Sequence, residues 1–262
     1  NVESGEVRIA IGTVDLGIGP NRFVFALIDN KSGPIRSPEV EATFIFLESK
    51  IPSPMITYDF SFLKWPMGLT GVYVDNIEFH KEGSWGLVVS GVDGIGNSFR
   101  AHKGFKVKPK SSSIALGEIA PRSRNRTLQD VDAISKITTA GSPDLDLYRI
   151  SIADAISSGY PSVIVFASPT FCQTAMCGPQ VRILSNLQTR YEGRANFIHI
   201  EIFENPDQIS GDMNNGRVSP ILGEWGIEIE PFTFVLNTQG LVASKFEGFT
   251  TEFEIEGALK MV

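Results

Sequence analysis

Both cysteines of this 262-residue chain lie in one stretch, residues 166–179, and their setting restricts the local fold more than any other feature. The preceding run, residues 162–167, is apolar and rich in β-branched side chains, which predicts a buried strand. Pro179 suits the first turn of a helix, and apolar residues follow it at helical spacing. We therefore expect a strand, a loop that carries Cys172, and a helix that begins near Cys177.

The start of a helix is a favourable place for a thiolate, because unpaired N–H groups and the macrodipole put a partial positive charge there. If Gly178 and Pro179 open the helix, Cys177 lies at or next to its cap, where a cysteine pKa falls from ~8.5 to ~3.5–7.5. Two residues five apart in one helix have Cα atoms roughly 8–9 Å apart. A disulfide needs less than ~7 Å. A Cys172–Cys177 disulfide therefore requires Cys172 to lie outside the helix.

The order of elements from about residue 114 onward resembles that of a thioredoxin-like domain. The resemblance is carried by a strand, the Cys-Gly-Pro helix start at residues 177–179, a second strand and helix, and then Glu230 and Pro231. A hairpin over residues 232–243 and a last helix complete the pattern. The resemblance implies an α/β fold and an activity in thiol–disulfide exchange.

The resemblance also implies roles for individual residues. Thioredoxins have a cis-proline that faces the active cysteines, and Pro231 occupies the matching position just before the hairpin. The backbone around Pro231 would pair with an extended substrate segment, and Gly178, Pro179 and Glu230 would border that substrate. Cys172 and Cys177 would be the catalytic pair. The helix start favours Cys177 as the attacking residue. The expected exposure of Cys172 in a loop favours Cys172 instead, and both alternatives stay open.

Two positions distinguish this chain from the usual thioredoxin pattern, and a third residue bears on the chemistry of the cysteines. Gln180 stands where the Cys-Gly-Pro-Cys motif has its second cysteine, and Ile164 stands where the family has a buried acid. Glu230 adds a carboxylate before the proline. A carboxylate within roughly 4–6 Å of a thiol disfavours the thiolate. We expect Glu230 to raise the pKa of the cysteines and to oppose the effect of the helix start.

Residues 5–108 alternate short β-prone runs with turn compositions and contain no helix-length periodic segment. Strands at this spacing predict an all-β sandwich. Residues 21–23, 71–74 and 83–85 resemble parts of immunoglobulin-like extracytoplasmic modules of the YtkA and FixH kind. The sequence thus predicts an immunoglobulin-like sandwich in the N-terminal part of the chain.

Composition places the domain boundary. Residues 106–127 are rich in Lys, Ser, Pro and Arg, a composition typical of linkers. We predict three segments: a β-sandwich domain over residues 1–110, a linker over residues 111–127 and a thioredoxin-like domain over residues 128–262.

The net charge of -7 and the pI near 5.1 argue against nucleic acid and anionic membrane surfaces as partners. The sequence has no run of 18 apolar residues that would span a membrane. It begins at Asn1 rather than at methionine, which suggests a processed N-terminus. We therefore expect an extracytoplasmic protein that is periplasmic, displayed on the cell surface or secreted. A removed N-terminal segment could also have tethered it to a membrane.

These observations predict a thiol–disulfide oxidoreductase that acts on protein thiols and disulfides through a Cys-x4-Cys pair and needs no cofactor. One alternative is a copper-binding and copper-delivering protein similar to Sco proteins, with Cys172, Cys177 and His199 as ligands. A histidine on a strand is also typical of a buried, hydrogen-bonded side chain. The other alternative is a redox-inactive thioredoxin fold that serves as a binding module.

Overall fold

The computed structural model describes residues 7–38, 40–49, 56–65, 71–93, 96–172 and 176–262. The chain divides into two compact units, and the boundary falls between Ser111 and Ser112. Among the described residues, no helix has both the length and the apolar character needed to cross a membrane.

The first unit consists of two antiparallel sheets. One sheet has the strand order β1-β2-β7-β6, with β3 paired to β2, and the other has the order β5-β4-β8-β9. The strands are β1 (Val7–Ile11), β2 (Gly19–Asp29), β3 (Gly33–Ile35), β4 (Val40–Phe46), β5 (Ile56–Asp59), β6 (Ser61–Lys64), β7 (Gly71–Phe79), β8 (Gly83–Val92) and β9 (Ser98–Val107).

Aromatic side chains from both sheets form the core of this unit. Phe23 on β2 packs edge-to-face against Phe44 on β4, with ring centroids 5.1 Å apart. Phe44 in turn contacts Phe79 on β7 at 5.8 Å. All three are buried, and aromatic pairs in this geometry stabilise a core beyond their buried area alone. Two sheets on one shared core make the predicted β-sandwich, whereas its immunoglobulin-like character stays a prediction.

The second unit is a four-stranded sheet with helices on both faces. Its strand order is β11-β10-β12-β13. Strand β11 runs parallel to β10, and β12 and β13 are antiparallel to their neighbours. The elements are α1 (Ile152–Ser157), β10 (Ser162–Phe166), α2 (Cys177–Arg190), β11 (Asn196–Ile200), α3 (Pro220–Trp225), β12 (Phe232–Leu236), β13 (Val242–Glu247) and α4 (Glu252–Leu259).

Strand β10 is buried along its whole length, as expected for a strand with a layer of helices on each face. Ile164 faces a core cluster that includes side chains of α1 and α3. Val163 and Val165 face the opposite cluster, which includes side chains of α2 and α4. Because successive side chains of β10 point to opposite faces of the sheet, this one strand packs against both layers of helices.

Two helices of the second unit, α1 and α4, begin at residues whose side chains cap them. Ser151 caps α1 by accepting a hydrogen bond from the N–H of Asp154. Thr251 and Glu254 form a capping box at the start of α4, which satisfies two backbone N–H groups that the helix leaves unpaired. Helix α3 begins with Pro220 after Ser219. The helix that the resemblance implies before Glu230 and Pro231 and the last helix after the hairpin are both present, as α3 and α4.

Residues 112–127, for which the sequence predicts a linker, make many of the second unit's contacts. The N–H of Ile114 donates to the carbonyl of Trp225 (3.3 Å), and the N–H of Ala120 donates to that of Gly240 (3.0 Å). Gly226 has φ +63°, and a Cβ there would lie 1.9 Å from the carbonyl oxygen of Ser112. Residues 112–127 are therefore grouped with the second unit, whereas the division at residue 128 stays a prediction.

Candidate active site

Strand pairing brings two distant segments together at one edge of the sheet. Phe166, the last residue of β10, pairs with Phe232, the first residue of β12. Because these strands are antiparallel, the residues after Phe166 lie beside those before Phe232. Glu230 and Pro231 therefore lie next to the loop that carries Cys172.

Cys172 and Cys177 form a disulfide, with Cα atoms 5.9 Å apart. Helix α2 begins at Cys177, and Met176 is its N-cap residue, so Cys172 lies outside the helix. The Cα separation falls within the ordinary range for a disulfide, about 4.4–6.8 Å. Residues 173–175, between the two cysteines, lie outside the described residues.

The two sulfurs differ in their surroundings. Cys177 is fully buried, whereas Cys172 is only partly buried. The backbone N–H of Cys177 donates a hydrogen bond of 3.3 Å to Cys172 Sγ. This N–H belongs to the first turn of α2, where backbone N–H groups have no carbonyl partner within the helix. The helix start therefore acts on Cys172 directly, and the sulfur with access to solvent is the one in the loop.

Glu230 places a carboxylate beside the disulfide. Its Oε2 atom lies 3.5 Å from Cys177 Sγ and accepts a hydrogen bond of 2.6 Å from the N–H of Ser168. Burial raises the pKa of Glu230 to about 7, the negative charge of Glu201 adds to the rise, and the Ser168 hydrogen bond opposes it. Near neutral pH this carboxyl group is therefore divided between its protonated and ionised forms.

The peptide bond between Glu230 and Pro231 is cis, in agreement with the resemblance described above. Pro231 is buried, and its carbonyl accepts a hydrogen bond of 2.8 Å from Gly248. Gly178 is partly buried and Pro179 is buried, both in the first turn of α2. Gly178 and Pro179 follow Cys177 directly in the chain, and Pro231 follows Glu230, whose carboxylate lies beside the disulfide.

The two positions that depart from the thioredoxin pattern are both filled by packing residues. Gln180 is fully buried, and its Oε1 accepts a hydrogen bond of 2.9 Å from the N–H of Thr250. Gln180 thus fixes the segment before α4 instead of supplying a sulfur. Ile164 is fully buried in a core cluster. The acid closest to Cys177 Sγ is therefore supplied by Glu230, from the strand edge.

His199 is buried on β11, and protein atoms occupy both of its ring nitrogens. Nδ1 lies 2.7 Å from the Tyr148 hydroxyl, and Nε2 lies 3.0 Å from the Ala167 carbonyl oxygen. Burial lowers the pKa of His199, while Glu201 and the Ala167 carbonyl act in the opposite direction. These contacts leave His199 no ring nitrogen directed at an ion.

A different set of donor atoms lies close together. Sγ of Cys172, Sγ of Cys177 and a carboxylate oxygen of Glu230 are all within 4.8 Å of one another. Within the part of the chain that the structure describes, this is the one group of three or more Cys, His, Asp or Glu side chains whose ligand atoms lie this close together.

A hydrogen-bonded network behind the site was not expected from the sequence. The N–H and hydroxyl of Thr139 both donate to Glu201 Oε2 at 2.8 Å. Thr139 Oγ1 lies 3.3 Å from Ser168 Oγ and accepts a hydrogen bond of 3.2 Å from the N–H of Thr170. Thr139 thus connects the irregular segment before α1 to the loop that leads to Cys172. No local sequence pattern marks Thr139, because its partners lie 29 to 62 residues away.

The second unit has the arrangement of a thioredoxin-like fold, with a disulfide at the start of the helix that follows the central strand and a cis-proline before the hairpin. No protein-family model matches the sequence. No curated protein is similar enough to match it.

Solved structures similar to this chain include a thioredoxin-family thiol:disulfide interchange protein from Chlorobium tepidum TLS, with 18% identity, a TM-score of 0.35 and coverage of 50% of this chain and 98% of that one. A DsbF homologue from Corynebacterium diphtheriae is 16% identical, with a TM-score of 0.38 and coverage of 57% and 91%. A superoxide reductase (neelaredoxin) from Ignicoccus hospitalis is 12% identical, with a TM-score of 0.26 and coverage of 41% and 86%. Because these TM-scores are low, the description of the second unit as a thioredoxin-like fold depends on its own strand order, cis-proline and disulfide.

Proposed function

We propose that the protein is a thiol–disulfide oxidoreductase that exchanges the Cys172–Cys177 disulfide with thiols and disulfides of other proteins. The observation that carries this proposal is the asymmetry of the pair: a partly exposed sulfur in a loop is bonded to a buried sulfur at a helix start. A substrate thiolate can approach Cys172, and the sulfur released from it is Cys177, which lies in the first turn of the helix and beside the Glu230 carboxyl group.

The exchange proceeds in two steps. A substrate thiolate attacks Cys172 Sγ, a mixed disulfide forms, and the Cys172–Cys177 bond breaks with its electron pair on Cys177. A second substrate thiolate then attacks the substrate sulfur of the mixed disulfide, and Cys172 leaves as a thiolate. The substrate loses two electrons and the cysteine pair gains them. The reverse sequence reduces a substrate disulfide, and the relative reduction potentials set the direction.

Glu230 is the group that exchanges a proton with Cys177. Its carboxyl oxygen lies 3.5 Å from the Cys177 sulfur, and its pKa of about 7 keeps both protonation states populated near neutral pH. A protonated Glu230 gives its proton to Cys177 when the disulfide opens, and an ionised Glu230 takes it back when the disulfide closes. General acid–base groups are most effective when their pKa lies near the working pH.

The proposal is tested with insulin reduction and with oxidation of reduced ribonuclease, both in the presence of EDTA. The wild type is compared with Cys172→Ser and Cys177→Ser, each of which should lose the activity of the pair. Cys177→Ser should also accumulate a mixed disulfide with a substrate protein, since no second cysteine remains to resolve it. Activity that survives in both variants would contradict the proposal, and an inactive wild type would favour the redox-inactive binding module.

We also propose a location for the protein and a role for its first unit. We place the protein outside the cytoplasm, where disulfides persist, with a tether to the membrane as one form of attachment. The first unit would hold a partner or separate the redox unit from a membrane. A copper site of Cys172, Cys177 and His199 stays a prediction. Such a site would require His199 to give up its hydrogen bond with either Tyr148 or Ala167, so that one ring nitrogen could face the ion.

A further inference from the structure

We propose that the reduced protein binds one Zn²⁺ ion through Cys172 Sγ, Cys177 Sγ and the carboxylate of Glu230, and that oxidation of the two cysteines abolishes this binding. The ion site itself does not depend on the proposed function, because it requires only that both cysteines are reduced and that Glu230 lies beside them. Its consequence for regulation rests on the proposed function, because an ion that holds both sulfurs would block exchange until it is removed.

The oxygen and one sulfur already have the spacing of zinc ligands. Zinc–sulfur bonds are about 2.3 Å long and zinc–oxygen bonds about 2.0–2.2 Å, so the sulfur and oxygen of a tetrahedral site lie about 3.6 Å apart. Cys177 Sγ and Glu230 Oε2 are 3.5 Å apart. No rearrangement of Glu230 is needed to bring its carboxylate to an ion held by Cys177.

Cys172 supplies the third ligand once the disulfide is reduced. Two thiolates on a tetrahedral zinc are about 3.8 Å apart. The Cα atoms of the two cysteines are 5.9 Å apart, and Cys172 lies in a loop instead of a regular element, so rotation of its side chain can provide this separation. In the disulfide both sulfurs are bonded to each other and neither is a thiolate, the form that binds metals.

The donor set matches the ligands that Zn²⁺ takes in proteins. Two thiolates and a carboxylate combine soft and hard ligands. Zn²⁺ binds both kinds of ligand, whereas Cu⁺ prefers sulfur. His199 contributes nothing to the set, because its nitrogens are bonded to Tyr148 and Ala167. Three protein ligands leave a fourth position open, and the partly exposed Cys172 and Glu230 give an ion a path from solvent.

The test uses the full chain, reduced and kept free of oxygen. Co²⁺ serves as the spectroscopic probe, because thiolate ligands give charge-transfer bands and tetrahedral coordination gives intense visible bands. Zn²⁺ affinity is then measured by competition with a chromophoric chelator. The proteins are the reduced and oxidised wild type, Glu230→Gln, Glu230→Asp and Glu228→Gln. Glu228 is an exposed glutamate two residues from the site, so its variant is a matched control.

We expect one Zn²⁺ per reduced chain, thiolate-to-Co²⁺ bands in the reduced wild type, and neither in the oxidised protein. Glu230→Gln should weaken zinc binding by more than the roughly 10–100-fold that loss of an outer-shell partner causes. Glu230→Asp should recover part of this affinity, and Glu228→Gln should bind like the wild type.

Equal zinc affinity in Glu230→Gln and the wild type, or the absence of stoichiometric binding by the reduced wild type, would overturn the zinc site. The two proposals fail separately. Exchange activity measured in EDTA does not depend on the ion, and zinc binding by the reduced chain does not depend on a protein substrate.

Discussion

At the level of single residues, Glu230 makes the stability of the protein depend on pH. The folded protein holds the proton of Glu230 with a pKa of about 7, against a usual value of 4.5. Between these pH values the unfolded chain releases the proton and the folded chain keeps it, so the free energy of unfolding falls as pH rises from about 4.5 to about 7. Above about pH 7 this contribution no longer changes.

Glu230→Gln should remove this slope. Near pH 8 we expect the oxidised variant to be more stable than the wild type by about 1–2 kcal/mol, a value reduced for solvent screening of a partly exposed group. Near pH 4.5 the two should be equal. The measurement is hydrogen exchange of the β10 amides in increasing denaturant, which reports on the second unit alone. Glu228→Gln should retain the wild-type slope, and the same slope in Glu230→Gln would exclude Glu230 as its source.

Glu230 should also influence the thiol next to it. Glu230 Oε2 lies 3.5 Å from Cys177 Sγ in the disulfide form. In the reduced protein an ionised carboxylate at this position disfavours a second negative charge on the sulfur. We expect Glu230→Gln to lower the pKa of Cys177. The measurement is the ultraviolet absorbance of the thiolate during a pH titration, made in a Cys172→Ser background so that one thiol titrates. An unchanged or higher midpoint in the Gln variant would contradict the expected repulsion.

At the level of elements, Thr139 connects the segment before α1 to the loop after β10. Its hydroxyl donates to the buried Glu201 and accepts from the N–H of Thr170. Thr139→Val keeps the shape of the side chain and removes these bonds. We expect a loss of about 1–3 kcal/mol in the free energy of unfolding and faster hydrogen exchange in residues 168–172.

Thr139→Ser is the matched control, because it keeps the hydroxyl and loses only a methyl group. It should lie close to the wild type in both measurements. If the Val and Ser variants exchange at the same rate, the hydroxyl does not hold the loop, and the position of Cys172 depends on other contacts.

The elements that were predicted from the sequence are those whose boundaries have local signals. Ser151 and Thr251 mark helix starts through their own hydrogen bonds, and the apolar run of β10 marks a strand buried on both faces. The short strands β3, β5 and β6 were not predicted, since runs of three or four residues are too short to show alternation.

The parts of the site that escaped prediction depend on contacts between distant residues. The sequence singles out both cysteines, Glu230 and Pro231, because a family resemblance and a helix start mark them. Thr139 and Glu201 are 62 residues apart, and neither is distinctive in its local segment. His199 stands out in the sequence as a metal-binding residue type, but its contacts with Tyr148 and Ala167 follow only from the fold.

At the level of the whole molecule, the two units have separate cores. The aromatic cluster of the first unit is formed by residues of the two N-terminal sheets. The two clusters of the second unit lie on the faces of its own sheet and include residues from Ala120 onward. A unit of this size buries enough apolar surface to fold by itself. The composition of residues 112–127 suggests a linker, with the redox domain starting at residue 128. The contacts of the same residues suggest that they are part of the second unit.

Two fragments, residues 112–262 and residues 128–262, test whether residues 112–127 stabilise the second unit. Residues 112–262 should fold cooperatively and keep the insulin-reduction rate of the full chain within about twofold, since the disulfide and all its described contacts lie within this unit. Residues 128–262 lack the backbone bonds from Ile114 and Ala120 and the hydrogen bond of 3.0 Å from the Trp225 indole to Ser123 Oγ. Loss of these contacts should cost roughly 3 kcal/mol or more.

The measurement is thermal unfolding of both fragments by circular dichroism. For a domain of this size we expect the shorter fragment to melt about 10 °C below the longer one. The cause would be specific, because Trp225 is fully buried beside Ser123, and its N–H would lose its acceptor while its ring gained exposure to water. Equal melting temperatures would mean that residues 112–127 lie on the unit without stabilising it, and the boundary at residue 128 suggested by composition would then be the correct one.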